Sequence, residues 1–326
     1  MVRVEEFLAE WNNSEPTVRV HTSGSTGKPK EMSVEKSRML ASAKMTCDFL
    51  NLKPGKTALL CMPLDYIAGK MMVVRSIERQ MRLINVEPSS HPLAEVNEHI
   101  DFAAFVPLQV LKTLEVEEET SRFHDITNVI IGGGAIDADL ETRLRACANN
   151  IYSTYGMTET LSHIALRKVS GEDASDWYTP FGNVHLSQTA DGCLVIDAPL
   201  VCNERLITND IVEMNPQGQF RVIGRKDNTI NTGGVKVQIE EVEKCIREKV
   251  LHSDFMITSC KDSTFGEIVV MLVPRYLTSE QRKTLIDATN ALPRYWKPKK
   301  IVDVDSLPTT ETGKPDRATA KMVVKM

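Results

Sequence analysis

Residues 21–32 read HTSGSTGKPKEM, and what this stretch does decides how the rest of the chain is read. It concentrates glycine, hydroxyl and lysine as a phosphate-binding loop does. It does not obey the P-loop rule, which requires G-x-x-x-x-G-K followed by Ser or Thr. Gly24 and Gly27 are too close together, and Lys28 is followed by Pro29. TVRVHT (17–22) before it reads as a strand, and the segment from Ser33 to Leu50 after it as a helix. A loop in that position can turn backbone N–H groups onto an anion. Taken alone, the stretch fits a phosphate loop or a solvated Ser/Gly/Lys turn equally well.

The rhythm continues outward. TALLCMP (57–63), RLINVE, DFAAFVP and NVIIGGG are strand signals, and a helical segment runs from Ala68 to Gln80. Strands alternating with helices imply an α/β domain with a largely parallel sheet. From Asp176 to Gly224 short β-like pieces (GCLVIDAPL, RLITNDIVEM, QFRVIG) are divided by Asp-Gly and Gln-Gly turn signals, implying a β-rich subdomain. Beyond it, QIEEVEKCIREKV and LTSEQRKTLIDATNAL read as helices, with DFMITSC and GEIVVMLVP as a strand pair between them. The expected organisation is a large N-terminal α/β domain over 1–224, its β-rich part at 176–224, followed by a small mobile α+β C-terminal domain over 225–326.

The chain has 326 residues, 42% of them hydrophobic, enough for such a core. A net charge of −5 argues against nucleic acid or an anionic membrane as the main partner. No apolar run approaches the ~20 residues of a membrane span. The start of the chain reads as a short amphipathic helix, with Val4, Phe7, Leu8 and Trp11 apolar, rather than as a signal peptide. Seven scattered cysteines without C-x-x-C or zinc spacing suit a reducing, cytoplasmic setting.

Three further stretches carry polar chemistry. In STYGMTETLS (153–162) a carboxylate, Glu159, stands between Thr158 and Thr160, where it could hold Mg²⁺ or simply end a buried strand. GRKDNTINTGGVKVQIEEVE (224–243) lies where the texture changes and suits a hinge or an ordinary linker. LPTTETGKPDR (307–317) exposes Lys314 on a Gly-Pro-flanked loop, a setting in which most lysines are merely solvated.

In this order the stretches resemble the acyl-adenylate-forming (AMP-binding) enzymes. TSGSTGKPK resembles that family's phosphate loop, GGGAI (132–136) its adenine-flanking loop, YGMTET its base-and-metal motif and TNDIVE its Thr-Gly-Asp element. GRKDNTINTGG resembles its hinge motif, and PTTETGKPDR its terminal lysine motif. The resemblance implies ATP-dependent activation of a carboxylate as an acyl-adenylate, then transfer to a thiol, with ATP, Mg²⁺ and CoA. Charge accumulating on the α-phosphate is the problem that positioned cations relieve.

Residue by residue, it implies that Thr22, Ser23, Gly24, Ser25, Thr26, Gly27 and Lys28 cradle the β- and γ-phosphates. Thr158 would contact the α-phosphate and Glu159 would hold Mg²⁺. Tyr155 and Gly156 would meet adenine beside Gly133, Gly134 and Ala135, and Asp210 and Arg225 would bind the ribose. Lys314 would bridge the attacking carboxylate and the α-phosphate. Rotation about Asp227 would then withdraw Lys314 and bring Gly233 and Gly234 to the thiol.

MPLDYIAGKMMVVRSI (62–77) resembles the MPLFH-x-SG element of the o-succinylbenzoate–CoA ligases of menaquinone synthesis, with Arg75 six residues after Gly69. That resemblance implies Arg75, or else Lys70, as the cation for a dicarboxylic acid's second carboxylate, with Tyr66 in the usual histidine position. Arg75 could equally be one of several surface charges with Glu78, Arg79 and Arg82. Asn209 also departs from the family's usual Gly before Asp210. The phosphate loop begins at residue 22, where relatives carry on the order of 100 residues before it. An apolar face covered by homodimerisation is the corresponding expectation. Alternatives are a ligase for another aryl or acyl acid, an adenylation enzyme loading a carrier protein, and a nucleotide-binding pseudoenzyme. Retention of Glu159, Asp210, Arg225 and Lys314 together speaks against the last.

Overall fold

A computed structural model describes residues 2–21, 31–250, 253–310 and 315–324. The chain divides into two compact units, the first comprising 1–187, 195–206 and 214–220, the second 188–194, 207–213 and 221–326.

In the first unit, helix α1 (Val4–Asn12) buries Phe7 and Trp11, as its apolar spacing predicts. Strands β1 (Thr17–His21) and β2 (Glu31–Glu35) pair antiparallel, Thr17 opposite Glu35 and His21 opposite Glu31. This corrects the expected helix from Ser33: helix α2 starts only at Lys36 and ends at Phe49. Alternation decides the matter locally. Val18, Val20 and Val34 are buried while the intervening residues of EMSVE face out, a period of two that a helix cannot satisfy. Residues 22–30 therefore join two paired strands rather than a strand and a helix.

The rest of the unit alternates: β3 (Thr57–Leu60), α3 (Ile67–Glu78), β4 (Arg82–Asn85), β5 (Phe102–Phe105), α4 (Pro107–Thr113), α5 (Glu117–Asp125), β6 (Asn128–Ile131), α6 (Ala138–Arg145), β7 (Asn150–Gly156), β8 (His163–Lys168) and β9 (Thr179–Pro180). They form a seven-stranded sheet of order β4-β3-β5-β6-β7-β8-β9. The first five strands are parallel and the last two antiparallel. FAAF of β5 is buried throughout, as a central parallel strand covered on both faces must be. Leu59, Ala103, Phe105 and Ile131 pack with Val110, Phe123 and Leu140 from α4–α6. By the two-residue period, Ala58, Leu60, Phe102 and Ala104 face the other way, where α3 packs on β3 and α2 packs on α3.

Strands β10 (His185–Gln188), β11 (Cys193–Asp197), β12 (Leu206–Met214) and β13 (Phe220–Arg225) form a four-stranded sheet in chain order, its residues divided between the two units as given above.

The second unit continues with β14 (Thr229–Thr232), β15 (Val235–Gln238), α7 (Ile239–Arg247), β16 (Met256–Asp262), β17 (Gly266–Pro274), α8 (Ser279–Asn290), β18 (Lys300–Val304) and α9 (Arg317–Val323). Its five strands make one sheet, with α7 and α8 packed on it through Ile239, Val242, Ile246 and Leu285. Thr278 and Asp316 cap α8 and α9, each side chain accepting a backbone N–H of the first turn. The exposed large apolar side chains among the described residues, such as Leu108, Leu200, Ile207 and Tyr276, sit on separate segments.

Candidate active site

Strand order gives the first unit's site its address. The chain leaves β3 toward β4 on one side, and β5 then adds on the other side of β3. In open α/β sheets, ligands bind beyond the carboxyl ends of the strands at such a reversal. Two of the predicted segments leave the same carboxyl edge one and two strands beyond β5: Gly132–Gly134 follows β6, and Met157–Thr160 follows β7.

The glycines there are required by close approach. A Cβ on Gly132 would lie 2.6 Å from Thr154 Oγ1, and Gly133 has φ +79°. A Cβ on Gly156 would lie 2.4 Å from the Ser162 carbonyl oxygen and 2.5 Å from His163 Cα, at the register shift between β7 and β8. Tyr155 lies edge-on to Phe220 at 4.9 Å and to Tyr178 at 5.8 Å, with Tyr178 stacked on Phe220.

After Gly156 the chain makes a single 3-10 turn, Thr158–Thr160, then a tight reversal. The buried Thr160 hydroxyl ties the loop together, accepting from Met157 N–H and lying 2.8 Å from the Ser162 carbonyl. Leu161 has φ +64° and ψ −45°, and the Ser162 N–H reaches the Thr160 carbonyl at 2.7 Å. That combination is a γ-turn, a rare and strained conformation. Thr158 and Glu159 are exposed on the 3-10 turn, while Leu161 is buried. Thr158 lines a small cavity of about 10 Å³ with Val20, His21, Met32, Ile67 and Leu161. Tyr66 stands immediately before α3, without a side-chain capping bond, and its backbone bridges His21. A larger recess of about 350 Å³ beside Asn97, His99, Arg122 and Asp125 opens near the amino ends of β5 and β6, and none of the predicted site residues lines it.

The two candidate substrate cations have different surroundings. Lys70 is buried, donates to the Arg19 backbone carbonyl, lies 3.8 Å from Glu10 and sits over the Phe7 ring, so its charge ties α3 to β1 and α1. Arg75 is no surface helix charge, because only 2% of it is exposed. Its Nη2 donates to Ser162 Oγ at 2.8 Å, and Nη1 reaches Met72 Sδ at 3.8 Å. Its Nε has no partner, and no ion pair with a carboxylate forms among the described residues. Burial pushes the guanidinium down to about 10, well below its usual range. Ser162, the last residue of the 153–162 stretch and the one just before β8, supplies the polar partner of this cation.

In the second unit Arg225 Nη1 pairs with Asp210 at 3.2 Å across neighbouring strands β12 and β13. Asp227, in the 3-10 turn Lys226–Asn228 between β13 and β14, accepts from Asn209 at 3.2 Å and from Arg225 at 3.4 Å. Asn209, in place of the family's Gly, therefore has a defined partner. Gly233 and Gly234 form a two-residue hairpin between β14 and β15 with φ +58° and +81°, as a type I′ turn requires. The loop residues Thr22, Ser23, Gly24, Ser25, Thr26, Gly27 and Lys28, and the terminal Lys314, lie outside the described residues.

Among the described residues no cluster of three or more His, Cys, Asp or Glu could hold a metal ion unaided. The exposed carboxylate of Glu159 suits Mg²⁺, which keeps several waters and shares its remaining positions with phosphate oxygens. No helix among the described residues is long and apolar enough to cross a membrane.

The AMP-binding enzyme family model matches residues 5–187. The 2-succinylbenzoate–CoA ligase of Staphylococcus epidermidis is 25% identical over 327 residues, covering 92% of this chain and 68% of that protein. Its Haemophilus influenzae counterpart is 26% identical, covering 83% and 62% respectively. The chain thus spans about two thirds of the curated relatives it matches. Among solved structures, an AMP-forming acyl-CoA synthetase/AMP-acid ligase II-like protein from Dyadobacter fermentans is 32% identical over 96% of this chain and 91% of its own, with a TM-score of 0.68. The Bacillus subtilis o-succinylbenzoate CoA synthetase bound to its acyl-adenylate has the same fold, at a TM-score of 0.76 and 21% identity, covering 93% of this chain and 68% of its own. The chain belongs to the AMP-binding enzyme family.

Proposed function

We propose that the protein is an ATP-dependent, AMP-forming acid–thiol ligase that converts o-succinylbenzoate to its CoA thioester through an acyl-adenylate, as a step of menaquinone synthesis. The observation that carries the choice of acid is Arg75, a buried cation with no carboxylate of the described protein paired to it. Such a charge is costly unless an anion meets it, and a dicarboxylic acid brings one that is not consumed in the reaction. The names of the curated relatives support the same acid.

In this reading Thr22–Lys28 hold the departing pyrophosphate, and Glu159 holds the Mg²⁺ that neutralises phosphate charge. Thr158 contacts the α-phosphate, while Tyr155 and Gly133–Ala135 receive adenine. Asp210 and Arg225 bind the ribose; their mutual ion pair keeps both side chains oriented. Lys314 lowers the barrier for carboxylate attack by meeting the charge that builds on the α-phosphate. Asp227 is the hinge and Gly233–Gly234 the loop that serves the thiol step. Seven free cysteines suit a reducing cytoplasm.

AMP release across a panel of carboxylic acids, with and without CoA, tests the proposal. Turnover of o-succinylbenzoate to its CoA thioester is expected. Absence of any AMP with that acid, alongside turnover of another, refutes the choice of substrate. Lys314→Ala should abolish adenylate formation yet leave thioester formation from supplied adenylate largely intact; equal loss in both removes Lys314 from its role.

A further inference from the structure

Arg75 does not end at Ser162; it begins a chain of neutral groups through the core. Ser162 Oγ accepts from Arg75 Nη2 at 2.8 Å and stands 3.3 Å from His163 Nδ1. His163 Nε2 is 2.9 Å from Thr46 Oγ1, and the Thr46 hydroxyl reaches the Ser42 carbonyl one helical turn back at 3.3 Å. The Phe181 ring lies edge-on to the imidazole at 5.6 Å and holds its plane. Three separate elements, α2, α3 and the start of β8, are joined by these bonds.

The directions follow from counting donors. Arg75 can only donate, so Ser162 accepts there and has its own proton to give to His163 Nδ1. His163 then carries its proton on Nε2 and donates it to Thr46, whose hydroxyl proton goes to Ser42. The opposite tautomer would satisfy one bond fewer, because Nδ1–H and Arg75 would both donate to Ser162 and leave its hydroxyl proton unused. Burial and the Arg75 charge push His163 well below its usual pKa, so the ring is neutral. No member of the chain can therefore cancel the guanidinium, and Arg75 Nε remains a buried donor with no partner.

We propose that Ser162, His163 and Thr46 are positioning residues that hold Arg75 as an uncompensated cation and thereby set the preference for an acid with a second carboxylate. This rests on the ligase reading above. A carboxylate in the place of Ser162 or His163 would neutralise Arg75 from within and remove its value to a ligand. A neutral chain instead holds it in one geometry and leaves its charge available.

The test compares kcat/KM for o-succinylbenzoate with that for 3-benzoylpropionate, the same acid without its ring carboxylate. His163→Phe keeps the ring shape and removes both polar contacts, so the diacid preference should fall about tenfold, the scale of one hydrogen bond to a charged group. His163→Asn, whose amide can serve Ser162, should retain more of the preference than His163→Gln, whose amide reaches toward Thr46. A folded His163→Phe protein with undiminished preference overturns the proposal. If that variant does not fold, ¹⁵N NMR of the wild-type imidazole decides: a neutral ring protonated on Nε2 is expected, and protonation on Nδ1 overturns the chain. A wild-type enzyme that turns over both acids equally defeats the substrate reading instead, and the tautomer still tests the hydrogen-bond chain by itself.

Discussion

Replacing Arg75 by Met should make the protein more stable, the reverse of most core substitutions. The guanidinium is 2% exposed, with one serine hydroxyl and one thioether as its contacts. The fall to about 10 from the ordinary guanidinium value makes the charged form about 3 kcal/mol less favourable in the folded chain, at ~1.4 kcal/mol per unit. From about pH 10 up to the ordinary guanidinium range the unfolded chain binds the proton more tightly, so stability rises with pH there and the cost is present in full at pH 7. Methionine is unbranched and adaptable, and it forfeits about 1 kcal/mol of hydrogen bonding to Ser162. The balance is a gain of about 1–2 kcal/mol, in line with replacing buried charges by packed apolar groups. Urea unfolding at pH 7 without ligand, followed by near-ultraviolet circular dichroism, measures it. A variant less stable than wild type by 1 kcal/mol or more would refute the claim that this charge lacks compensation. The same substitution should weaken o-succinylbenzoate far more than its monocarboxylic analogue.

Gly156→Ala places a Cβ 2.4 Å from one backbone atom and 2.5 Å from another, neither of which can rotate away, so loss of more than ~3 kcal/mol and poor soluble yield are expected; near-wild-type stability would show that the β7–β8 register can slip. Glu141→Gln takes from Arg167, 9% exposed, the carboxylate held at 2.7 Å and leaves it only Asp176 at 3.8 Å, at a cost of about 2–3 kcal/mol. Burial opposes ionisation of Glu141, but Arg167 overrides it and lowers its pKa, so this stability is present above the ordinary carboxylate range and lost as pH falls through the depressed value. The variant should accordingly show a flatter acid limb in its stability profile. In the Gly233–Gly234 hairpin, Gly234→Ala meets only its positive φ and should cost about 1 kcal/mol. Gly233→Ala also meets Phe265 and Tyr295 at 3.2 Å and should cost more. Both should slow thioester formation more than adenylation, measured separately in the two half-reactions.

Much of the fold was legible because local pattern and tertiary demand coincide. TALL, FAAF and NVII are short apolar runs, and a strand buried on both faces of a parallel sheet asks for just that. The sequence runs the helix back to Ser33 because five residues of alternation in EMSVE are outweighed by the long helical segment they adjoin. Pairing with TVRVH settles it, and that partner is nine residues removed along the chain.

The order of the chain's motifs carried the resemblance to the AMP-binding enzymes, because groups that must meet a phosphate, a base or a metal are held in short contiguous segments. What neighbours Arg75 was beyond that reach. Its spacing from Gly69 is written in one helix, but whether that helix faces water or core depends on segments remote in the chain, such as Ser162, 87 positions away. Only the packed structure brings Ser162, His163 and Thr46 onto the same cation. Burial, which turns an ordinary arginine into an uncompensated charge, is a property of the whole unit and of no segment within it.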